Sequence, residues 1–132
     1  MKISTKGRYA LRFMLDLAAH ATDRYITLND VSSRQEISEK YLEQIVSPLS
    51  RAGFVQSERG PHGGYKLARA PREYNVGEIL RTIEGSLSPV ACLEQNSEKC
   101  RRKENCPVLG FWQGLDNAIE TYVDSYTLED LL

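Results

Sequence analysis

Apolar and polar positions alternate with the period of α-helices over the first fifty residues. Thr5 is expected to cap a first helix, because a hydroxyl at that position can accept a hydrogen bond from the first turn. The apolar positions that follow keep the i, i+3, i+4, i+7, i+8 spacing of one buried helical face, and they are Ala10, Phe13, Met14, Leu17 and Ala18. This spacing predicts a contribution to the core rather than a functional site.

Two further helices are predicted close together. Thr27 begins the second, with Asp30 three residues later as in a capping box, and Ser38 begins the third. The linker between them, around residues 35–37, is very short. The inner positions of the third helix are Leu42, Ile45, Val46 and Leu49. Two short helices joined this tightly, the second polar on one side, have the pattern of a helix-turn-helix.

A basic turn rich in glycine follows the helix pair. Phe54–Val55 opens a strand and residues 65–67 form another, with Arg59-Gly60-Pro61-His62-Gly63-Gly64 between them. Glycine and proline favour a tight turn in which the backbone can approach a partner. Such a hairpin directly after a helix-turn-helix predicts the wing of a winged helix.

The second half of the chain predicts a fourth helix, capped by Asn75 and ended by Gly85, and then a long last helix with Pro107 in its first turn. The last helix would span roughly 30 Å over residues 107–126. Its apolar residues alternate in steps of four and three, and they are Val108, Trp112, Leu115, Ile119, Tyr122 and Tyr126. That heptad spacing favours a two-fold dimer seam, and the alternative is that this face packs on its own domain.

Charge is distributed unevenly along the chain. Residues 1–72 carry twelve Lys and Arg against seven Asp and Glu, a net charge of +5, whereas residues 73–132 have a net charge of −6. A basic half suits a polyanion such as DNA, although chance segregation of solvated charge would give the same numbers. The sequence has no long apolar run and no apolar segment after its basic start, so we expect a cytoplasmic protein that does not span a membrane.

Three cysteines lie in a charged stretch between the last two predicted helices. Cys92, Cys100 and Cys106 have the spacing Cys-x7-Cys-x5-Cys, without the tight Cys-x2–4-Cys pair that structural zinc sites commonly use. The wider gaps suit an iron–sulfur cluster, and the lysines and arginines at positions 99 and 101–103 favour thiolates. Zinc, thiol redox chemistry or no ligand at all remain alternatives. The sequence contains no Gly-rich phosphate loop and no Ser/His/Asp set, so an enzyme is not expected.

Several segments together resemble the Rrf-two superfamily of bacterial winged-helix regulators over essentially the whole chain. The matching segments are Ser4–Leu11, Tyr41–Gln44, Arg59–Pro61, Gly63–Tyr65, Val76–Glu78 and Thr127–Leu128. The N-terminal domain is similar to the CymR-like and IscR-like branches, and the three cysteines are typical of the cluster-binding IscR-like branch. The resemblance implies a homodimer that crosses its long C-terminal helices and binds a pseudo-palindrome in DNA.

The resemblance also implies a cluster on Cys92, Cys100 and Cys106, with 2Fe–2S favoured over 4Fe–4S. The fourth ligand departs from the family, because Leu109 stands where IscR-like proteins place a histidine and Arg8 stands where another branch places an aspartate. The fourth ligand is therefore unknown. The candidates are a backbone group, a solvent molecule, a small thiol, or one of Glu94, Glu98, Glu104 and Asn105.

For DNA binding, we expect the third helix to enter the major groove. Glu43 and Gln44 would face base edges, since glutamine suits adenine and glutamate suits the amino group of cytosine. Arg59 resembles the wing arginine that enters the minor groove, with Gly60 and His62 beside it in the wing. The expected phosphate contacts are Lys6, Ser38, Lys40, Tyr41 and Arg51.

Taken together, the sequence predicts a mainly α fold with a small β-wing. Residues 1–85 would form a winged helix-turn-helix domain, residues 86–106 a cysteine-bearing loop and residues 107–132 a dimerisation helix. The expected function is a transcription regulator that senses an iron–sulfur cluster and controls genes of cluster assembly or of sulfur and cysteine metabolism. The alternative is a CymR-like repressor without a cluster, controlled by a protein partner such as a cysteine-biosynthesis enzyme.

Overall fold

The computed structural model describes residues 2–94 and 102–132. Within these ranges the chain is mainly helical, and it adds one antiparallel pair of strands and four short 3-10 turns. The elements are α1 (Thr5–Ala19), α2 (Leu28–Gln35), α3 (Glu39–Arg51), β1 (Val55–Glu58), β2 (Gly64–Leu67), α4 (Val76–Glu84) and α5 (Leu109–Asp124). The predicted mainly α fold with a small β-wing is confirmed. No helix in the described ranges is long and apolar enough to cross a membrane.

Side-chain caps begin most of the helices where the sequence predicted them. The side chains of Thr27, Ser38 and Asn75 each accept a hydrogen bond from a backbone N–H three residues later. The prediction for the first helix was wrong by one residue, because the cap of α1 is Ser4, whose hydroxyl accepts from the Gly7 N–H at 3.0 Å. Both neighbouring residues carry hydroxyl groups, and only one of them has the extended backbone of a cap.

The last helix is shorter than predicted at both ends. It begins at Leu109 and ends at Asp124, with Val108 at the N-cap position and no side-chain hydrogen bond there. Pro107 therefore lies just before the helix rather than in its first turn.

One apolar core joins α1, α2, α3, the base of the wing and α4. The predicted inner residues of α1 and α3 are all buried in it. Tyr74 lies fully buried between the wing and α4, and Leu128 from the segment after α5 is also fully buried in this core. The Leu128 N–H donates to the Tyr74 carbonyl at 3.0 Å, and the Val76 N–H donates to the Tyr126 carbonyl at 3.0 Å. The segment after α5 thus returns to the N-terminal part of the molecule.

The wing is pinned to the segment before α2. β1 pairs with β2 so that Val55 lies opposite Leu67 and Glu58 lies opposite Gly64. Tyr65 on the other edge of β2 exchanges two backbone hydrogen bonds with Ile26, at 2.7 and 2.8 Å. Gly64 lies beside this contact with a φ of +154°, and a Cβ there would come within 2.3 Å of the Ile26 carbonyl oxygen. Glycine is required at this position because the two backbones approach so closely.

α5 packs against α4 through a small second apolar cluster and two ion pairs. Ile119 and Val123 contact Val76, Leu80 and Leu87. Arg81 of α4 reaches both Glu120 and Asp124 of α5, the latter at 2.7 Å. Part of the predicted heptad face therefore packs on its own chain, and the division of the chain into three functional segments stays a prediction.

Candidate nucleic-acid interface and cysteine segment

The third helix separates its apolar and polar residues sharply. Its four predicted inner residues are buried, while Lys40, Glu43 and Gln44 are exposed on the opposite side. An exposed polar helix face held on a packed core is what entry into the major groove requires. Glu43 and Gln44 are both exposed on this face, and their contacts with base edges stay a prediction.

The N-terminus of α3 is tied to α1. The Ser38 hydroxyl accepts from the Tyr41 N–H at 3.1 Å, and the Tyr41 ring meets the Tyr9 ring edge-on at 5.5 Å between centroids. The Arg12 guanidinium lies 5.2 Å from the centre of the Tyr9 ring. A helix N-terminus carries partial positive charge and attracts phosphate. Ser38, Tyr41 and the exposed Lys40 surround this end of α3.

The other two predicted phosphate contacts lie on different elements. Lys6 is half-buried in the first turn of α1, and Arg51 is exposed at the last residue of α3. The structure places Lys6 near the start of the chain and Arg51 at the opposite end of α3 from Ser38.

The tip of the wing is an exposed tight turn. Gly60 has a φ of +108°, and its carbonyl accepts from the Gly63 N–H at 3.0 Å. A Cβ on Gly63 would come within 2.1 Å of the Glu58 carbonyl oxygen, so this turn closes only with glycine. Arg59 and His62 are both exposed at the tip.

The base of the wing is held by Tyr74, a residue that the sequence analysis did not single out. Its hydroxyl donates to the Phe54 carbonyl at 2.6 Å and accepts from the N–H groups of Ala68 and Arg69, each at 3.0 Å. The Arg69 guanidinium lies 4.6 Å from the centre of the Tyr74 ring and 5.2 Å from that of Phe54. These contacts fix the direction in which the wing leaves the core.

A buried carboxylate, also missed in the sequence, joins α1 to α2. Asp16 is 2% exposed, and it accepts two hydrogen bonds from the Arg34 guanidinium, at 2.7 and 3.0 Å, and one from Gln35 at 3.0 Å. Burial alone would raise the pKa of Asp16, but the hydrogen bonds from Arg34 and Gln35 outweigh it and hold that pKa below its ordinary value. A signal was present, because Asp16 interrupts the apolar face formed by Phe13, Met14 and Leu17.

The cysteine segment lies between α4 and α5. Cys92 is exposed in a 3-10 turn at Ala91–Leu93, and Cys106 is half-buried just after a second turn at Lys103–Asn105. Cys100 and Glu98 lie outside the described residues. Of the other candidate fourth ligands, Glu94, Glu104 and Asn105 are exposed on either side of that gap.

The described ranges contain no group of three His, Cys, Asp or Glu residues placed to hold a metal ion. Two of the three predicted thiols, those of Cys92 and Cys106, lie outside the apolar core. They stand before and after Cys100 in the sequence. Three thiolates in a cationic segment suit an iron–sulfur cluster by donor type. At the two positions where the resemblance led us to expect a fourth ligand, Leu109 begins α5 and Arg8 is exposed on α1.

Comparison with known proteins identifies the family. The model of the Rrf2 family, described as an iron-dependent transcriptional regulator, matches residues 3–132. The chain is 43% identical over 131 residues to the transcriptional regulator CymR of Bacillus subtilis, covering 99% of this chain and 89% of that protein. It is 39% identical over 132 residues to the regulator IscR of Aliivibrio salmonicida, covering all of this chain and 77% of that protein.

Solved structures agree with the sequence relatives. CymR, the global cysteine regulator of B. subtilis, superposes with a TM-score of 0.80 at 41% identity, covering 99% of this chain and 95% of that one. IscR of T. potens superposes with a TM-score of 0.76 at 39% identity, covering 99% of this chain and 85% of that one. These relatives are named as regulators and not as enzymes, which confirms the sequence-based expectation. The chain belongs to the Rrf2 (Rrf-two) family of winged-helix transcription regulators.

Proposed function

We propose that this regulator is a homodimer that binds pseudo-palindromic DNA and senses an iron–sulfur cluster held by Cys92, Cys100 and Cys106. The observation that carries the proposal is the presence of three thiols in one segment between α4 and α5, with both described members outside the core. The protein would act in the bacterial cytoplasm, where its operators lie. Its targets would be genes of cluster assembly or of sulfur and cysteine metabolism.

DNA recognition in this proposal uses the exposed face of α3 and the tip of the wing. Glu43 and Gln44 read base edges in the major groove, and Arg59 enters a narrow minor groove with His62 and Gly60 beside it. The N-terminus of α3 is supported by its Ser38 cap and by the packing of Tyr41 on Tyr9. These supports fix the register on the phosphates and leave the base contacts free to select sequence.

Salt dependence tests this DNA interface. Lys6, Lys40 and Arg51 in both subunits would neutralise six phosphates, so the slope of log affinity against log salt is expected near −5, at about −0.9 per phosphate. Replacing Arg51 by Ala should reduce the slope by about 2, measured by fluorescence anisotropy on one duplex. A slope unchanged in the variant would remove Arg51 from the interface.

The thiols of Cys92, Cys100 and Cys106 would hold a 2Fe–2S cluster in preference to a 4Fe–4S cluster, with the fourth position taken from outside the family's usual residues. A bound cluster supplies a group that iron supply or oxidants can add or remove. The end of α4 offers a route from this segment to the DNA-binding domain. Glu84, the last residue of α4, accepts hydrogen bonds from the Ser4 N–H and hydroxyl at the start of α1. A change in the cysteine segment would then move both α1 and the partner-facing α5.

The dimer is supported by the unpartnered apolar surface of α5. Phe111 is 67% exposed and Tyr122 is 65% exposed, although both have large, mainly apolar side chains. Burying them against a second copy would be favourable and would join two DNA-binding domains by a two-fold axis. The spacing of the two domains then sets the spacing of half-sites in the operator.

The test is purification without oxygen, followed by iron and sulfide analysis and a visible spectrum. A brown protein with both elements is expected, and changing any one of the three cysteines to Ala should abolish the colour, because a weak fourth ligand leaves no redundancy. Ser97→Ala, within the same segment, is the matched control and should keep the colour. A colourless protein with stoichiometric zinc, or single Cys→Ala variants with full colour, would reject the cluster.

The second candidate is a CymR-like repressor controlled by a protein partner and lacking a cluster. The observation in its favour is the 43% identity to CymR of B. subtilis. A wild-type protein that is colourless and iron-free, and whose DNA binding changes on adding a cysteine-biosynthesis enzyme, would support it. DNA binding that responds to cluster loading alone would reject it.

A further inference from the structure

The buried carboxylate of Asp16 is the centre of a polar network that reaches the helix-turn-helix. In the described ranges it is the one charged side chain that is buried, and it lies on the apolar face of α1. Arg34 grips it with two nitrogens and Gln35 adds a third hydrogen bond. Both partners belong to the last turn of α2, so one side chain of α1 holds the end of the neighbouring helix.

A second residue of α1 holds the same end of α2. The Arg12 Nε donates to the Gln35 side-chain oxygen at 3.2 Å, and its Nη2 donates to the Gln35 backbone carbonyl. The same guanidinium lies over the Tyr9 ring, which contacts Tyr41 in the first turn of α3. Arg12 thus touches the end of α2 directly and the start of α3 through one ring.

The network lies directly before the turn between α2 and α3. Glu36 follows Gln35 with a left-handed φ of 55°, and Ser38, the cap of α3, comes two residues later. A residue other than glycine in this conformation is held there by its surroundings. The position of the Gln35 backbone therefore fixes how the chain enters α3.

Stability alone does not explain why this contact is ionic. A buried ion pair commonly stabilises a fold no more than apolar residues of similar size would. A bidentate arginine–carboxylate pair is directional, and apolar packing is not. Both N–H groups of the planar guanidinium reach the carboxylate only when the two groups lie in one relative orientation. Here the pair fixes the orientation of α2, and of the turn that follows it, relative to α1.

We propose that Asp16, Arg34 and Arg12 are positioning residues for DNA recognition. They set the α2–α3 turn and the orientation of α3, and this determines how well the protein separates its operator from other DNA. The inference rests on the DNA-binding part of the proposed function and is independent of any cluster.

The test uses Arg34→Met, which keeps the aliphatic stem and removes the donors. The specific probe is a duplex selected by the wild-type protein from a random-sequence pool, and the reference is a scrambled duplex of equal length at the same salt. Both are measured at a temperature where circular dichroism shows the variant to be folded. We expect affinity for the selected duplex to fall about tenfold while affinity for the scrambled duplex changes less than about twofold. The control Arg72→Met, at an exposed arginine after the wing, should leave the ratio of the two affinities within about twofold of the wild type.

The double variant Asp16→Leu/Arg34→Met separates positioning from stability. Two apolar residues leave no unpaired buried charge, so the melting temperature is expected to recover. If the double variant still discriminates between the two duplexes about tenfold less well than the wild type, the positioning role is supported. This result decides the question even if Arg34→Met alone does not fold. Restored discrimination, or equal loss of affinity for both duplexes in Arg34→Met, would overturn the proposal. A wild-type protein that selects no duplex would instead refute DNA reading itself.

Discussion

Helices α3 and α5 are similar in length and both are amphipathic, yet they use their apolar residues differently. α3 buries four apolar side chains in the core, whereas no residue of the 16-residue α5 is buried, and its Phe111 and Tyr122 are mostly exposed. The position of α3 is therefore determined within one chain. The apolar surface of α5 is only partly covered by α4, and the proposed dimer would cover the rest with a second copy.

The largest expected effect is the loss of stability when a leucine of the core is truncated. Leu49→Ala in α3 should lower the free energy of unfolding by about 3 kcal/mol, because the side chain is fully buried and its removal leaves a cavity. Leu115→Ala in α5 is the matched substitution at a site that is half-buried in one chain, and about 1 kcal/mol is expected at protein concentrations too low for the proposed dimer to form. Urea denaturation of both variants measures the difference.

Equal losses for the two leucines at high protein concentration, and unequal losses on dilution, would show that a partner covers α5. Equal losses at every concentration would break the contrast, because Leu115 would then be as buried within one chain as Leu49.

The next effect concerns Asp16 of α1, which holds the end of α2 through Arg34 and Gln35. Its pKa lies below the ordinary aspartate value of about 4, so its contribution to stability is present above that value and is lost as the pH falls below it. Asp16→Asn should cost about 2 kcal/mol at pH 7, less than for a fully buried pair because the Arg34 side chain is 34% exposed. Urea denaturation at pH 5 and pH 3 should show a steeper loss in the wild type than in Asp16→Asn. His20, 3.9 Å from the same carboxylate, also lowers the pKa of Asp16, so its attraction is part of what Asp16→Asn removes.

A smaller effect is expected at the base of the wing. Tyr74→Phe removes the hydroxyl that joins Phe54, Ala68 and Arg69, and a loss of about 1–2 kcal/mol is expected, since the Arg69 N–H would lose its acceptor. Tyr25→Phe serves as the control, because the ring that faces Lys66 is retained. Thermal unfolding of the two variants distinguishes them, and an equal shift in both would argue against the hydroxyl as the anchor of the wing.

The smallest effect sharpens the comparison at the helix starts. Ser38→Ala should cost about 1 kcal/mol, because α3 loses a capping hydrogen bond. Val108→Ala should cost less than about 0.5 kcal/mol, because Val108 is half exposed and makes no side-chain cap for α5. Hydrogen exchange in the first turn of each helix measures the two effects separately. If Val108→Ala speeds exchange in α5 more than Ser38→Ala speeds it in α3, Ser38 is not the stronger cap.

Local chemistry made much of the winged helix predictable. Three kinds of feature depend only on neighbours in the sequence. They are the helical spacing of the core residues, the glycines in the wing, and the hydroxyl and amide caps at Thr27, Ser38 and Asn75. The error at Ser4 and Thr5 arose because adjacent hydroxyls offer the same chemistry. The error at Pro107 arose because proline is tolerated both before a helix and in its first turn.

Contacts between distant segments were not predictable in the same way. Asp16 pairs with Arg34 from another helix, and Leu128 enters a core formed by residues far before it. Nothing adjacent to either residue specifies such a partner. Among the predicted site residues, those on α3 and the wing tip depend on local geometry. No local pattern dictates how the proposed ligands Cys92, Cys100 and Cys106 would come together.

The burial of Leu128 has a consequence for synthesis of the protein. The core around Phe13 and Tyr74 stays open until residue 128 has left the ribosome, although domains otherwise tend to fold from the N-terminal side during translation. A chain interrupted in α5 would carry the complete recognition helix on an unfinished core, with apolar surface open to proteases. Quality control in the cell could therefore distinguish interrupted chains from finished ones before they reach an operator.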